Sequence, residues 1–348
     1  MRFIVTGGLG YIGAHTVIQL YKAGHTAVIL DDCRNSEEKT SESINKIVGQ
    51  NVPFYRVDLT NREQLFNCLL GKEKRNNPDF IIHFAALKNV GESVEMPFEY
   101  YQNNLIGLLN ILAVAKELDC PNFIFSSSCT VYPHDAPRPL TEEVRAAASN
   151  TMFQTIVTGM SPYGTSKLMC EQILQDMAYA DGFWNITVLR YFNPVGNHES
   201  HLIGDNFMII KKSMNLFTAI LNKTINKDRV EVFGSYHPTK DGTCVRDYIH
   251  VLDVADAHIR AAETSKFKKG LDVFNIGTGQ GYSVLEIINK FEEYGLKVDY
   301  YMGCARKGDV AEVWADCTKA KNILKWEPKY SLNDMVQSTV SYYNYQKC

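Results

Sequence analysis

The sequence predicts an α/β fold, a doubly wound parallel sheet followed by a smaller C-terminal α/β region, and three observations predict it. Short apolar, β-branched runs alternate with helical patterns through the first half, as βαβ units require when both faces of a parallel sheet are buried. A glycine cluster, Gly7-Gly8-Leu9-Gly10-Tyr11-Ile12-Gly13, falls between the first strand pattern and the first helix pattern. A run of hydroxyls, Ser126-Ser127-Ser128-Cys129-Thr130, ends a later strand at the carboxyl edge of the sheet, where doubly wound folds bind ligands.

In chain order, strands are expected at Arg2 to Thr6, Thr26 to Asp31, Val52 to Val57, Phe80 to Phe84, Asn122 to Ser126 and Asn185 to Arg190. Helices are expected at Gly13 to Ala23, Asn61 to Leu70, Asn103 to Leu118 and Ser166 to Ala180, where apolar positions recur at three and four residues. The second half is less regular. A polar loop runs from Asn197 to Lys212, followed by a helix at Asn215 to Asn222. Strand-like Glu231 to Phe233 and Val273 to Ile276 flank a helix at Leu252 to Thr264, and Ser283 to Tyr294 reads as another helix. A boundary near Asn193 to Gly196 divides the chain into residues 1–193 and 194–348, with segments at about 244–277 expected to return to the first part.

Composition narrows the partner. Hydrophobic residues make up 45% and charged residues 22% of 348, the proportions of an ordinary globular protein with a sizeable core. With 36 Lys plus Arg against 39 Asp plus Glu, the net charge of -3 provides no footprint for nucleic acid or an anionic membrane and favours a small-molecule partner. The nine cysteines form no CxxC pair and no Cys/His cluster, so reduced thiols are expected and no metal site or disulfide framework. Met1-Arg2 runs straight into the first strand pattern, and the longest apolar stretch, Phe80 to Leu87, is short and broken by His83. A cytoplasmic protein is expected, with neither signal peptide nor membrane span.

The glycine cluster has the context of a phosphate-binding turn, with Gly7 at the tight turn, Gly10 admitting a pyrophosphate and Gly13 letting the helix close on the strand. Asp31, 18 residues after Gly13 at the second strand's end, is placed to accept hydrogen bonds from a ribose 2′-hydroxyl and to repel a 2′-phosphate, favouring NAD over NADP. In Ser161-Pro162-Tyr163-Gly164-Thr165-Ser166-Lys167, Tyr163 and Lys167 are four apart at a helix start and share one face. A free phenol titrates near about 10, so Tyr163 needs a cation such as Lys167 beside it to act as a base at neutral pH. Of the hydroxyl run, Ser128 and Thr130 are best placed for chemistry.

These features, with the strings Arg190-Tyr191-Phe192-Asn193-Pro194-Val195-Gly196 and Val245-Arg246-Asp247-Tyr248-Ile249-His250-Val251, resemble the extended short-chain dehydrogenase/reductases, and among them the UDP-glucose 4-epimerases. The resemblance spans nearly the whole chain. It implies a Rossmann-type fold, NAD as cofactor, a UDP-hexose as substrate, and a homodimer built from the helices around Asn103 to Leu118 and Ser166 to Ala180. By position it implies that Gly7, Gly10, Tyr11, Ile12, Asp31, Asn35, Asp58, Leu59, Phe84, Lys88, Asn103, Tyr163, Lys167 and Tyr191 contact the cofactor. Ser128, Tyr163 and Lys167 would be catalytic, and Ser128, Tyr163, Asn193, Asn215, Leu216, Phe233, Arg246, Tyr248, Arg306 and Asp309 would hold the UDP-sugar, with the two arginines clamping the diphosphate. The implied reaction moves the 4-hydroxyl proton through Tyr163 and the C4 hydride through NAD, by way of a 4-keto sugar reduced on its other face.

Four departures matter. The stretch from Tyr132 to Tyr163 is longer than in bacterial epimerases, and Pro133 replaces a glycine. Lys211-Lys212-Ser213-Met214-Asn215-Leu216 keeps only the final asparagine and leucine of the family's string. Val313 stands where some epimerases carry a tyrosine crowding the sugar 2-position, so N-acetylated UDP-hexosamines are expected to fit too. Val131-Tyr132 follows Thr130 where related sugar-nucleotide dehydratases carry Asp-Glu and the decarboxylases a glutamate, which disfavours both alternatives. A non-catalytic NAD-sensing module is the rival of another class, opposed by the intact Tyr163 and Lys167.

Overall fold

The computed structural model describes residues 1–72, 77–144, 161–205, 215–265, 269–306 and 309–347. In chain order the elements are β1 (Arg2–Thr6), α1 (Tyr11–Lys22), β2 (Thr26–Asp31), α2 (Lys39–Val48), β3 (Phe54–Arg56), α3 (Arg62–Lys72), β4 (Phe80–His83), α4 (Val90–Glu95) and α5 (Pro97–Tyr101). A π-helical turn (Gln102–Ile106) leads into α6 (Gly107–Glu117), followed by β5 (Asn122–Ser128), α7 (Pro162–Ala180), β6 (Asn185–Tyr191) and β7 (Asn193–Val195). The remainder comprises α8 (Leu216–Ile225), β8 (Val230–Phe233), β9 (Val245–His250), α9 (Val251–Ser265), β10 (Gly270–Ile276), β11 (Gly281–Ser283), α10 (Val284–Glu293), β12 (Tyr300–Gly303), β13 (Glu312–Val313) and α11 (Leu332–Gln346).

The main sheet is parallel throughout, in the order β10-β6-β5-β4-β1-β2-β3. Successive residues point to opposite faces, and both faces are covered, so the strands are apolar without alternation. Phe3, Val5, Ile29 and Ile82 enter one core cluster, while Ile4, Leu30, Ile81 and Phe125 enter another. The chain leaves β1 toward β2 on one side and later occupies β4 on the other, so a crevice opens at their carboxyl ends.

The expected strands of the first half lie within one or two residues of the observed ones. The expected helix from Asn103 to Leu118 is divided into the π-helical turn and α6, and α2, α4 and α5 were not foreseen. The second region holds several strands too short to leave a periodic signal. β9 pairs with β11, β13 and β7, and β8 pairs with β12. The chain then recrosses, since α9 lies beside α1 and β10 extends the main sheet past β6. α11 was missed although it starts with a legible capping box, in which Ser331 and Asp334 satisfy each other's backbone N–H groups.

The eight described cysteines are free thiols. No described helix is long and apolar enough to cross a membrane. The longer segment after Tyr132 is described only to residue 144, and residues 211–214 of the altered string also lie outside the described residues.

Candidate active site

A cavity of about 1640 Å³ opens along the carboxyl edge of the main sheet and runs into the second region. Every residue expected to contact cofactor or sugar nucleotide lines it, as does Val313.

At one end lies the glycine turn. Gly7 has a φ of 68°, and a Cβ there would sit 2.7 Å from the backbone N of Ala85, so conformation and close approach both require glycine. At Gly13 a Cβ would fall 2.2 Å from the Gly7 carbonyl, which accounts for the close packing of α1 on β1. The Asp31 carboxylate accepts from the Leu9 backbone N–H at 3.0 Å, the Cys33 N–H at 3.0 Å and the Ser36 hydroxyl at 2.8 Å, tying the glycine turn to the second strand's exit. A carboxylate has about four acceptor positions, so capacity for a further donor remains. Asp58 accepts from Thr60, and Arg34 reaches both Asn103, at 3.2 Å, and Asp58, at 3.5 Å. Lys88 lies 5.8 Å above the Tyr11 ring, whose hydroxyl donates to the Gly196 carbonyl at 2.5 Å. Tyr191 shares a 2.6 Å hydrogen bond with His258, which packs against Phe84.

At the centre, Ser161 caps α7 and Pro162 occupies its first turn, fixing where the helix begins and which face it turns to the cavity. Tyr163 and Lys167 share that face. The buried Lys167 ammonium donates to the Ser126 carbonyl at 2.7 Å and lies 4.7 Å over the Phe125 ring. Burial lowers the Lys167 pKa to about 8. It also pushes the Tyr163 phenol up to about 12, against the pull of its hydrogen bond with Ser128. Ser128 accepts from the Thr130 hydroxyl at 3.0 Å, so the hydroxyls of Tyr163, Ser128 and Thr130 converge. The other two serines are structural. Ser126 supplies the carbonyl that holds Lys167, and Ser127 donates to Glu171, which is paired with Arg190 at 2.6 Å below the site.

At the far end, Asn193 donates to the Asp247 carbonyl at 2.9 Å, and Tyr248 packs its ring on Phe217. Asn215 caps α8 by accepting from the Phe217 N–H and donates to the Pro194 carbonyl, so its amide has a structural task at the cavity edge. Leu216 follows it on the wall. The Arg306 guanidinium lies 4.5 Å over the Phe233 ring and grips Asp309 through two contacts, at 2.9 and 3.2 Å. Arg246 is 3.8 Å from the same carboxylate, so Asp309 aligns both arginines. Sequence reasoning missed Asp247 as a builder of this wall. Its carboxylate accepts from the Thr278 N–H and hydroxyl, the Gly279 N–H and the Ala315 N–H, holding three segments together. It also missed Arg138 and His134, which line the cavity from the altered segment after Tyr132.

Proteins similar to this chain match it over nearly its whole length. A UDP-glucose 4-epimerase of Bacillus subtilis is 41% identical over 337 residues, covering 96% of this chain and 94% of that protein, and one of Pasteurella multocida is 43% identical over 342 residues, covering 97% and 96%. The chain belongs to the UDP-glucose 4-epimerase family. Among solved epimerase structures, one from Bifidobacterium longum in complex with NAD+ and UDP superposes with a TM-score of 0.90 at 39% identity, covering 100% of this chain and 99% of that one. Another, from Stenotrophomonas maltophila with bound NAD and formylated UDP-arabinopyranose, superposes with a TM-score of 0.91 at 36% identity and the same coverage. The family model described as GDP-mannose 4,6 dehydratase matches residues 4–339. The position after Thr130 is where the sequence pattern disfavours a dehydratase. Val131 is fully buried and Tyr132 donates to the Asn275 side chain at 2.6 Å, leaving no carboxylate there to eliminate water.

Proposed function

We propose that this chain is an NAD-dependent epimerase that interconverts UDP-glucose and UDP-galactose at C4, in the metabolism of galactose and nucleotide sugars. The observation that carries the reading is that Tyr163, Lys167 and Ser128 line one cavity together with a glycine turn and a pair of arginines. The glycine cradle and Asp31 fit a dinucleotide lacking a 2′-phosphate, and Arg246 and Arg306 fit a diphosphate.

When bound, NAD supplies the reversible hydride acceptor for C4. The chain's own residues manage position and protons. Tyr163 takes the 4-hydroxyl proton and returns it, Ser128 hydrogen-bonds the same oxygen, and Lys167 supplies the positive charge that favours phenolate over phenol. That charge is needed because burial pushes the phenol up to about 12 even with the Ser128 hydrogen bond pulling it down. The Arg246–Asp309–Arg306 group fixes the nucleotide end, so that the 4-keto sugar can turn over while its diphosphate stays anchored. We divide the chain functionally at residues 193/194, the first part with the returning 244–277 stretch serving the cofactor and the second the UDP-sugar. Val313 on the sugar-side wall leaves room for an N-acetyl group, which extends the substrate range to UDP-N-acetylhexosamines.

The cytoplasm is the compartment that its free thiols favour. A second copy of the chain is the partner that best fits the helices around Asn103 to Leu118 and Ser166 to Ala180, where Leu109 is 49% and Tyr179 93% exposed.

Incubation with UDP-galactose, UDP-glucose and their N-acetyl counterparts, with chromatographic separation of products, tests reaction class and breadth together. Tyr163→Phe should lower turnover by about 10³-fold or more with the fold and NAD binding retained. Near-normal turnover in that variant would overturn the mechanism, and tight NAD binding without turnover in the unaltered chain would mark a sensing module instead.

A further inference from the structure

The segment that departs from the family pattern after Tyr132 is laid against the sugar-nucleotide wall. Leu140 donates to the Trp314 carbonyl at 2.9 Å and accepts from the Asp316 N–H at 2.8 Å, so the segment runs alongside β13. Two residues earlier, Arg138 hangs its guanidinium on backbone. Its Nε donates to the Glu312 carbonyl at 2.8 Å and its Nη2 to the His134 carbonyl at 3.0 Å. The Nη1 has no hydrogen-bond partner among the described residues, and Arg138 lines the large cavity together with Arg246, Arg306 and Asp309. β13 pairs with β9 so that Glu312 is opposite Val245 and Val313 opposite Arg246, which sets Arg138 one strand across from Arg246.

Charge makes this placement informative. Three guanidiniums line the cavity, Asp309 is gripped by Arg306 and lies 3.8 Å from Arg246, and Arg138 lines a smaller adjoining pocket together with Asp309. Burial and then Arg246 oppose the charge on Arg138, while the Glu312 and Asp135 carboxylates support it less strongly. Like charges held together on a rigid wall are stabilised by an anion that meets them all. A guanidinium anchored through two edges presents its remaining donors without loss of side-chain freedom on binding.

We propose that Arg138 is a third cationic contact for the diphosphate of the sugar nucleotide, acting with Arg246 and Arg306. The proposal rests on the substrate reading above and adds a binding residue from the departing segment. Arg138 strengthens binding without entering proton or hydride transfer.

The test uses the NAD-loaded enzyme and calorimetric titration with UDP and with uridine, for the unaltered protein and for Arg138→Met, Arg138→Lys and Arg246→Gln. Arg138→Met should weaken UDP on the order of 10-fold or more and raise KM for UDP-galactose similarly, while kcat at saturation falls less than threefold. Uridine, which lacks phosphate, should bind the variant as it binds the unaltered protein, and Arg138→Lys should recover part of the UDP affinity. Equal loss for uridine and UDP would show that Arg138 only holds the wall and would overturn the proposal. So would loss confined to a sugar nucleotide carrying a carboxylate, tested with UDP-glucuronate, while UDP itself binds unchanged. The Arg246→Gln arm separates the two levels of inference. Weakened UDP there with unchanged UDP in Arg138→Met removes this proposal alone, whereas unchanged UDP in both removes the substrate reading.

Discussion

The two ends of the cavity are built by different means. At the cofactor end, contiguous residues do most of the work: Gly7 to Gly13 form the turn, and Asp31 to Ser36 form the loop that meets it. At the sugar-nucleotide end, Arg306 and Asp309 are neighbours in sequence, but the contacts that hold the wall together join segments far apart in the chain. Asp247 binds residues 31, 32 and 68 positions away, and Asn215 reaches back 21 positions to Pro194. A turn next to a strand is specified locally, whereas a wall assembled from strands of two to six residues exists only once distant partners meet.

Breaking the wall should have the largest effect. Asp247→Ala leaves four donors without their acceptor, the Ala315 N–H buried and the other three partly buried, and should destabilise the protein by roughly 2–4 kcal/mol. In a differential scan of the variant, the loss should be accompanied by weakened UDP binding, with NAD affinity affected far less. Equal loss of both ligands would mean that the two ends are not energetically separate.

Gly13→Ala is the converse experiment at the cofactor end. The added methyl collides with the Gly7 carbonyl, a backbone atom that cannot swing away, so a cost of about 1–3 kcal/mol is expected. Fluorescence titration should show NAD affinity falling at least tenfold, with UDP binding in the presence of saturating NAD little changed.

The buried histidines sharpen the comparison through pH. At the cofactor end His83 is pushed down to about 3 and His258 to about 4, both by burial. In the unfolded chain each protonates near about 6.5. Their folded pKa values are lowered, so the unfolded state binds more protons between about 6.5 and 4, and stability falls as pH drops through that window. Asp253, pushed up to about 6 by burial, acts in the opposite sense between about 3.8 and 6 and offsets part of the loss. The melting temperature should therefore decline steadily from pH 7 to pH 4.5, and His258→Gln should flatten that slope. An unchanged slope would place the acid sensitivity elsewhere.

The smallest expected change in stability is at Val313. Val313→Tyr should alter the melting temperature by only a degree or two while reducing turnover of UDP-N-acetylglucosamine relative to UDP-glucose by on the order of 10-fold. An unchanged ratio would show that this wall position does not set the sugar range.

How much was legible follows the same division. The strands of the first half, the glycine turn, Asp31 and the Tyr163–Lys167 pair could be read because strand period, turn chemistry and helical spacing act over a few residues. Asn103 was placed on an expected helix, but the π-helical turn that carries it leaves no distinct pattern. At the far end, the strings around Asn193 and Arg246 were recognisable, while β7, β11, β12 and β13 were not, because two to four residues cannot display a period. Asp247 lay inside a recognised string, yet its role as a tether depended on Thr278, Gly279 and Ala315 arriving beside it.

By itself, then, the sequence determined the strands and helices of the doubly wound half, the glycine turn with Asp31 after it, and the shared helix face of Tyr163 and Lys167, since each is written in residues within about twenty positions of one another. Tertiary structure alone decided that Asp309 aligns two arginines, that Ser126 offers a carbonyl rather than a hydroxyl to Lys167, and that Arg138 joins the cationic wall. These depend on which backbone groups lie within about 3 Å after folding, a distance that no local spacing encodes.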